Sequence, residues 1–377
     1  MVAARAATVE EVAASLVAMH STDPASVVVA AWARLADRGA PALEVERALY
    51  EERTLLRLMG MRRTMFVVDR DVAPVVHAAC SVTVAARERA KLLKFMETSG
   101  VGGPDPVAWL AGAEAAALSA LDAQGEATAP EVAASDARLS EELAIGTGKW
   151  AAKQKIASRI LLVLAAEGRV VRARPRGSWT STQFRWASLE AWTGAPLAEV
   201  GAEQAEAELA RRWLYAYGPA LPADLQWWTA WTAKQTKRAL AAVGAVEVAL
   251  DGSAAGVALP DDLEPVDRGD PWVALLPALD ATPMGWKHRD WYLGEHAELL
   301  FDVNGNVSPT IWADGRIVGG WARRPSGEIA VRLLEDVGAE ATAGIEAEAA
   351  ALGPRLGDAT LAPRARGYSP VEKALLA

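Results

Sequence analysis

The pattern that most restricts what this 377-residue chain can become is a pair of predicted helices running into a short β-hairpin, three times over. In the first unit residues 9–20 and 24–35 read as helices, the second with Asp23 as N-cap and Pro24 at the first helical position. Residues 41–51 predict another helix, and 55–59 with 62–68 a hairpin around Gly60. Residues 71–96 read as one or two helices, and the Gly- and Pro-rich stretch 97–106 as a linker. The second unit has predicted helices at 106–121, 130–143 and 149–166, stopped by Gly168, then strands at 169–174 and 183–188. The third has helices at 203–217, 222–230 and 233–243, then strands at 246–250 and 257–259 around Asp251-Gly252. The pattern repeats but the residues do not, which suggests tandem modules and not a solenoid.

Beyond Pro271 the character changes. Residues 272–276, 298–302, 307–312, 316–322 and 329–333 read as strands, with Asn304-Gly305 and Asp314-Gly315 as two-residue turn signals. A final helix over 338–352 ends at Gly353-Pro354, and the tail with Arg364 and Arg366 is expected to be loose. The expected fold is α+β, mainly α: tandem winged-helix domains at 1–100, 101–195 and 196–265, then a small C-terminal antiparallel sheet or partly closed barrel at 266–377.

Charge is segregated along this pattern. From Lys149 to Arg176 there are eight basic residues (Lys149, Lys153, Lys155, Arg159, Arg169, Arg172, Arg174, Arg176) against one acid, Glu167. That segment carries +7 in a chain of formal net charge −9, which leaves −16 on the rest. A basic helix followed by an arginine-studded hairpin is what a winged-helix module presents to a phosphate backbone. Charges beyond about 8–10 Å are largely screened at cellular salt, so the local field outweighs the acidic sum. No acids are interleaved for i,i+4 pairing, as they tend to be on a merely solubilising helix.

Several function classes drop out. The single cysteine, Cys80, excludes an internal disulfide framework and a cysteine-built zinc site. His20, His77, His288 and His296 show no paired-ligand spacing, so neither a metal nor a cofactor is implied. The first fifteen residues lack the apolar region of a signal peptide, and no apolar run approaches the roughly 20 residues that span a bilayer. The expected location is the cytoplasm, on the nucleoid in a bacterium. Gly146-Thr147-Gly148-Lys149 resembles a P-loop only at a glance: Leu143 stands at the first glycine and Trp150 at the magnesium-holding hydroxyl. Trp227, Trp228 and Trp231 could stack on bases, although tryptophans so spaced more often pack helix on sheet.

The most informative short motif is His20-Ser21-Thr22-Asp23-Pro24, at a helix-to-helix junction. Alone it reads as a cap: Asp23 holds the helix start, Thr22 the turn, His20 a helix end. The longer run MHSTDPASVVVAAWARL resembles the segment of the AlkZ/YcaQ-type winged-helix DNA glycosylases in which a Q-x-Q or Q-x-D motif precedes a helix start and an aromatic-x-Arg-Leu. LMGMRRTMF, RRWLYAYGPALPADLQWWTAWT, LLPALDATPMGWKHRD and DVNGNVSPTIWADGRIVGGW are similar to further motifs of that family, in order, over residues 8–335. The match begins so near Met1 that a short stretch ahead of it is expected to be missing from this chain.

The resemblance implies tandem winged-helix domains curved around double-stranded DNA, a monomer, and no membrane. It implies metal-independent, monofunctional hydrolysis of the N-glycosidic bond of alkylated purines, bulky or crosslinked adducts included. Such a base is already a cationic leaving group, so the protein needs only to hold a water and stabilise an oxocarbenium-like sugar. Here His20 stands where the first glutamine would be and Thr22 where the second Gln or Asp would be. Under this reading His20 and Thr22 hold the water, and Asp23, or His20 with its ordinary pKa near working pH, is the base. Arg62, Arg63 and Thr64 on the first hairpin and Lys153, Lys155 and Arg159 on the basic helix are expected to contact the DNA backbone. Arg172, Arg174 and Arg176 would grip phosphate from the wing, and Arg316, Arg323 and Arg324 would flank the lesion. The rival is a catalytically inactive winged-helix DNA-binding protein, a transcription factor or lesion-recognition module, which differs only at His20–Asp23.

Overall fold

Side-chain caps written into the sequence open many of the helices. Thr8 accepts from the Glu11 amide at 3.2 Å to start α1 (Val9–Ser15), and Asp23 from the Ala25 amide at 3.2 Å to start α2 (Pro24–Trp32). The chain is described by a computed structural model over residues 4–146, 148, 151–251, 255–267, 269–361 and 367–377. Thr147, Lys149 and Trp150 of the P-loop-like run, Gly252 of the third turn, and Arg364 and Arg366 of the tail lie outside the described residues.

The helix expected over 9–20 stops at Ser15. Val17 takes a left-handed backbone (φ 62°), and the redirected chain makes Met19–His20 a strand, β1. After α3 (Pro41–Glu46) come β2 (Leu55–Met59) and β3 (Met65–Asp69), in a sheet of order β1-β3-β2 with His20 opposite Phe66. The β2–β3 turn holds Arg62 and Arg63, both left-handed (φ 53° and 60°), so the second strand starts at Met65 and not at Arg62. Next, α4 (Ala73–Val76) leads into α5 (Val82–Ser99), which ends on left-handed Gly100.

The second unit is α6 (Pro106–Gln124), α7 (Ala129–Ser135), β4 (Glu142–Ile145), β5 (Ala152–Lys155), α8 (Ile156–Ala166), β6 (Val170–Pro175) and β7 (Phe184–Ser188). The basic helix expected over 149–166 is therefore corrected: Lys153 and Lys155 lie on β5, paired antiparallel with β4. Ile156, Ile160, Leu161 and Leu164 supply the apolar stripe of α8, and Lys153-Gln154-Lys155 adds nothing to it. After α9 (Leu189–Thr193), which closes the second unit, the third runs α10 (Ala202–Tyr217), α11 (Pro222–Thr229), α12 (Ala233–Ala242), β8 (Val246–Val248) and β9 (Gly256–Ala258).

The C-terminal part comprises β10 (Val273–Leu276), α13 (Asp290–Leu293), α14 (Ala297–Leu300), β11 (Thr310–Ala313), β12 (Arg316–Arg323), β13 (Ile329–Leu333), α15 (Gly338–Arg355) and α16 (Pro370–Leu376). Its four strands pair antiparallel in sequence order, so of the two expected forms, a small sheet or a partly closed barrel, the chain takes the open sheet. The strand expected at 298–302 falls instead on the helical turn α14, which buries Leu300. The last predicted helix continues through Gly353-Pro354, and part of the tail folds as α16, capped reciprocally by Ser369 and Glu372.

Val12, Leu55 and Phe66 of the first unit share one buried cluster with Trp213, Tyr217 and Trp228 of the third. The second unit has a separate core around Leu110, Leu121, Ile160 and Leu164. Helix α2 is buried on all sides: Val27, Val28 and Ala31 face the first core, while Val29 and Trp32 join the C-terminal sheet residues Leu275, Ile311 and Trp321. The segment that follows His20 is thus wedged between two cores. No helix among the described residues is long and apolar enough to cross a membrane.

Candidate active site and nucleic-acid interface

His20 ends the edge strand of the first sheet, and the next amide, that of Ser21, donates to the Met65 carbonyl at 2.8 Å. The residue is 8% exposed, its ring edge-on to Phe66 at 5.4 Å, and its Nδ1 has no hydrogen-bond partner among the described residues. Burial, then the neighbouring Arg62 charge, push its pKa down to about 3. Against the expectation of a histidine titrating near neutrality, burial and the Arg62 charge hold the ring toward its neutral form and make it a weak base. Ser21 is fully buried with an unpartnered Oγ, and Thr22 and Asp23 are half-buried. Asp23 caps α2 and borders a crevice against the C-terminal domain with Ser26, Ala278, Pro309, Trp321 and Glu372.

Arg62 connects this junction to a second cluster. Its guanidinium lies 4.0 Å from the Trp227 ring centroid, and Arg289 lies 5.0 Å from the same ring. Burial, then the Arg289 charge, lower Arg62 to about 10, while burial is the main cause lowering Arg289. Beside them, His288 Nδ1 meets Asp224 Oδ1 at 2.8 Å. Trp291 stands 64% exposed, held edge-on by Trp286 at 5.2 Å and Tyr292 at 4.8 Å. Sequence reasoning passed over Asp224, His288 and Arg289 as site residues. The signal available was their position inside two of the recognised motifs, RRWLYAYGPALPADLQWWTAWT and LLPALDATPMGWKHRD.

The basic residues behave less uniformly than their spacing implied. Arg63 is clamped by Glu88 at 2.6 and 3.0 Å, and Thr64 ends the turn half-buried. Lys153 is exposed but sits 3.1 Å from Glu142, and Lys155 is exposed at the N-cap of α8. Arg159 donates to Gln154 at 2.9 Å. Arg172 does not stand free on the wing: its guanidinium packs near Phe184 at 5.2 Å and Trp186 at 5.3 Å, and burial lowers its pKa to about 10. Arg174 is paired with Glu46 and Glu51, each at 3.2 Å. Arg176 is exposed and, with Arg174, Arg185, Tyr50 and Glu126, borders a hollow of about 340 Å³. The acids absent from the local sequence are thus supplied by other segments.

The C-terminal arginines are also engaged. Arg316 meets Glu335 at 3.2 Å, Arg323 donates to the carbonyls of Gly357 and Ala359, and Arg324 donates to Leu375 O at 3.0 Å and to Glu328. Through these contacts Arg323 and Arg324 fasten the chain after α15, and α16, to the sheet.

A family model described as "DNA glycosylase AlkZ-like" matches residues 13–354. Among solved structures, Streptomyces sahachiroi DNA glycosylase AlkZ is similar over 96% of this chain and 94% of its own, with a TM-score of 0.70 and 19% sequence identity. At that identity the likeness speaks for the fold. No curated protein matches in sequence.

Proposed function

The chain belongs to the AlkZ-like DNA glycosylase family, and from that premise we propose that it hydrolyses the N-glycosidic bond of alkylated purines in duplex DNA, bulky or crosslinked adducts included. The reading extends to a monofunctional, metal-independent monomer whose winged-helix units 1–100, 101–195 and 196–265 and C-terminal domain 266–377 follow the duplex. The observation that carries it is the neutral, unpartnered Nδ1 of His20 beside Arg62, where the family resemblance expects a water-holding side chain. A neutral imidazole can do for water what a glutamine amide does: hold it without charge, and so without repelling a sugar that becomes cationic. Thr22 supplies the second polar group two residues on, and Asp23 adds a negative charge to the same junction while capping α2.

The test is release of N7-methylguanine from a duplex oligonucleotide, read as alkali-labile strand scission, with duplex affinity measured alongside. His20→Ala should slow release while duplex binding persists. Tight duplex binding with no release from either N7-methylguanine or crosslinked DNA refutes the enzyme and leaves a lesion-binding protein.

A further inference from the structure

We propose that His288, oriented by Asp224, is the proton acceptor for the hydrolytic water in this chain. The assignment rests on the glycosylase reading and deepens it. Asp224 is the third residue of α11 and is almost completely buried. Its Oδ2 accepts the Leu221 amide at 3.2 Å, and its Oδ1 accepts the amides of Lys287 and His288, both at 2.9 Å, besides meeting the His288 ring at 2.8 Å. A carboxylate offers only acceptors, so the ring nitrogen facing it, Nδ1, carries the hydrogen. The lone pair of the neutral imidazole therefore sits on Nε2, for which no hydrogen bond is found among the described residues. The side chain is 50% exposed, so that lone pair is open to solvent and to a ligand.

A base held in one tautomer by a buried carboxylate, with its other nitrogen free, is the arrangement general-base catalysis needs. Neither junction residue offers it: His20 is too weak a base, and Asp23 is occupied as the cap of α2. One aromatic ring links the dyad to the His20 junction. Arg289, the residue after His288, and Arg62, the neighbour of His20, both bear on the ring of Trp227. The charged and titratable groups around the dyad are Asp224 on α11, Lys287 and Arg289 on either side in sequence, Asp290 and Tyr292 on α13, and Arg62 across Trp227.

In the step itself the water oxygen bonds to C1′ as the C1′–N9 bond breaks. The bonding pair moves onto the alkylated base, which loses its positive charge and leaves neutral. The water proton passes to Nε2 of His288, and Asp224 stabilises the imidazolium until the exposed ring returns the proton to solvent. His288 is the catalytic group in this account and Asp224 the positioning one.

The experiment is single-turnover release of N7-methylguanine by the full chain between about pH 5 and 9, for the wild type, His288→Gln and Asp224→Asn. His288→Gln should slow release by roughly 10²-fold, change duplex affinity by no more than about twofold, and abolish the acid-side fall of the wild-type rate. Asp224→Asn should displace that acid-side fall, which a purely structural role would leave in place. Because His288 is half-exposed, its substitution should fold, and it keeps the test sound if Asp224→Asn does not. A His288→Gln rate within about threefold of an active wild type, with the same pH profile, overturns this assignment alone. A wild type that releases no base overturns the glycosylase reading and this assignment with it.

Discussion

Asp280→Ala should destabilise the protein by about 3–5 kcal/mol, because it strands a buried guanidinium. Arg34 follows α2 and is fully buried, as is Asp280 in the loop after β10. The pair is bidentate, Nη1 to Oδ2 at 2.9 Å and Nη2 to Oδ1 at 2.7 Å, with further donation to Ala30 O at 3.0 Å and Thr282 Oγ1 at 2.9 Å. Two charge-assisted hydrogen bonds at about 1.5–3 kcal/mol each give a similar figure from the other direction. The Nε of Arg34 already lacks an acceptor among the described residues, so none is at hand to absorb the loss. Arg34→Met alone should cost as much, since it strands the carboxylate. Arg34→Met combined with Asp280→Leu should recover most of the loss, because apolar residues of similar volume replace buried ion pairs at little cost. The assay is urea unfolding followed by tryptophan fluorescence. With a slope of about 3 kcal/mol per molar urea, the midpoint of either single variant should fall by roughly 1–1.7 M. A midpoint for Asp280→Ala within about 0.3 M of wild type would refute the reasoning, as would a double variant no better than the singles.

The depressed pKa of His20 carries a pH signature. As pH falls below the ordinary histidine value of about 6.5, the unfolded chain takes up a proton that the folded one refuses until about pH 3. Stability is complete above that window and lost going down through it, so His20→Gln should gain about 2 kcal/mol on the wild type between pH 8 and pH 5, read by denaturant titration at both values. Arg57 is buried over Phe184 at 4.5 Å with Nε and Nη1 unpartnered, so Arg57→Met should leave the thermal midpoint unchanged or raise it; a fall of more than about 4 °C contradicts this. On the second wing, Arg176→Ala should lower the slope of log affinity against log salt by about 1, whereas Arg172→Ala should cost stability and leave that slope alone. Equal slope changes for the two variants would show that the buried arginine also reaches phosphate.

What the sequence made legible was local. Asp23-Pro24 opens the helix it promises, and Asp314-Gly315 turns β11 into β12 with both residues left-handed. Asn304-Gly305 shows the limit. Asp302 takes up the amides of Asn304 and Asn306 at 2.8 and 2.9 Å, and its flanks pair only through the Phe301–Val307 bridge. What stayed hidden was long-range. His20 becomes a strand because Met65 and Phe66 offer a partner, and no periodicity around His20 announces that. The basic patch looked unpaired because Glu46 and Glu51, which neutralise Arg174, lie more than a hundred residues away. Asp224 and His288 are 64 positions apart, and each alone is an unremarkable residue in a helix start and a loop.

Those same long-range contacts decide how firmly the junction is held. Behind it, Ser26 donates to Ala278 O at 2.6 Å, Tyr217 donates to Leu16 O at 2.9 Å, and Trp286 donates to Tyr217 O at 3.0 Å. With the Arg34–Asp280 pair, these bonds tie β1 and α2 to α10 and to the C-terminal loop that carries His288. A water held between groups from different segments is placed only as well as the segments are placed relative to each other, and misplacement by about 1 Å can cost 10²-fold in rate. On the proposed reading, duplex affinity would come from surface cations such as Arg176, which do not depend on this registry. Loosening the brace should therefore be felt first in the rate of base release: Asp280→Ala, assayed below its unfolding transition, should release N7-methylguanine more slowly while binding duplex almost as the wild type does. Parallel losses in rate and affinity would mean instead that the brace holds the whole DNA-binding surface and not the junction in particular.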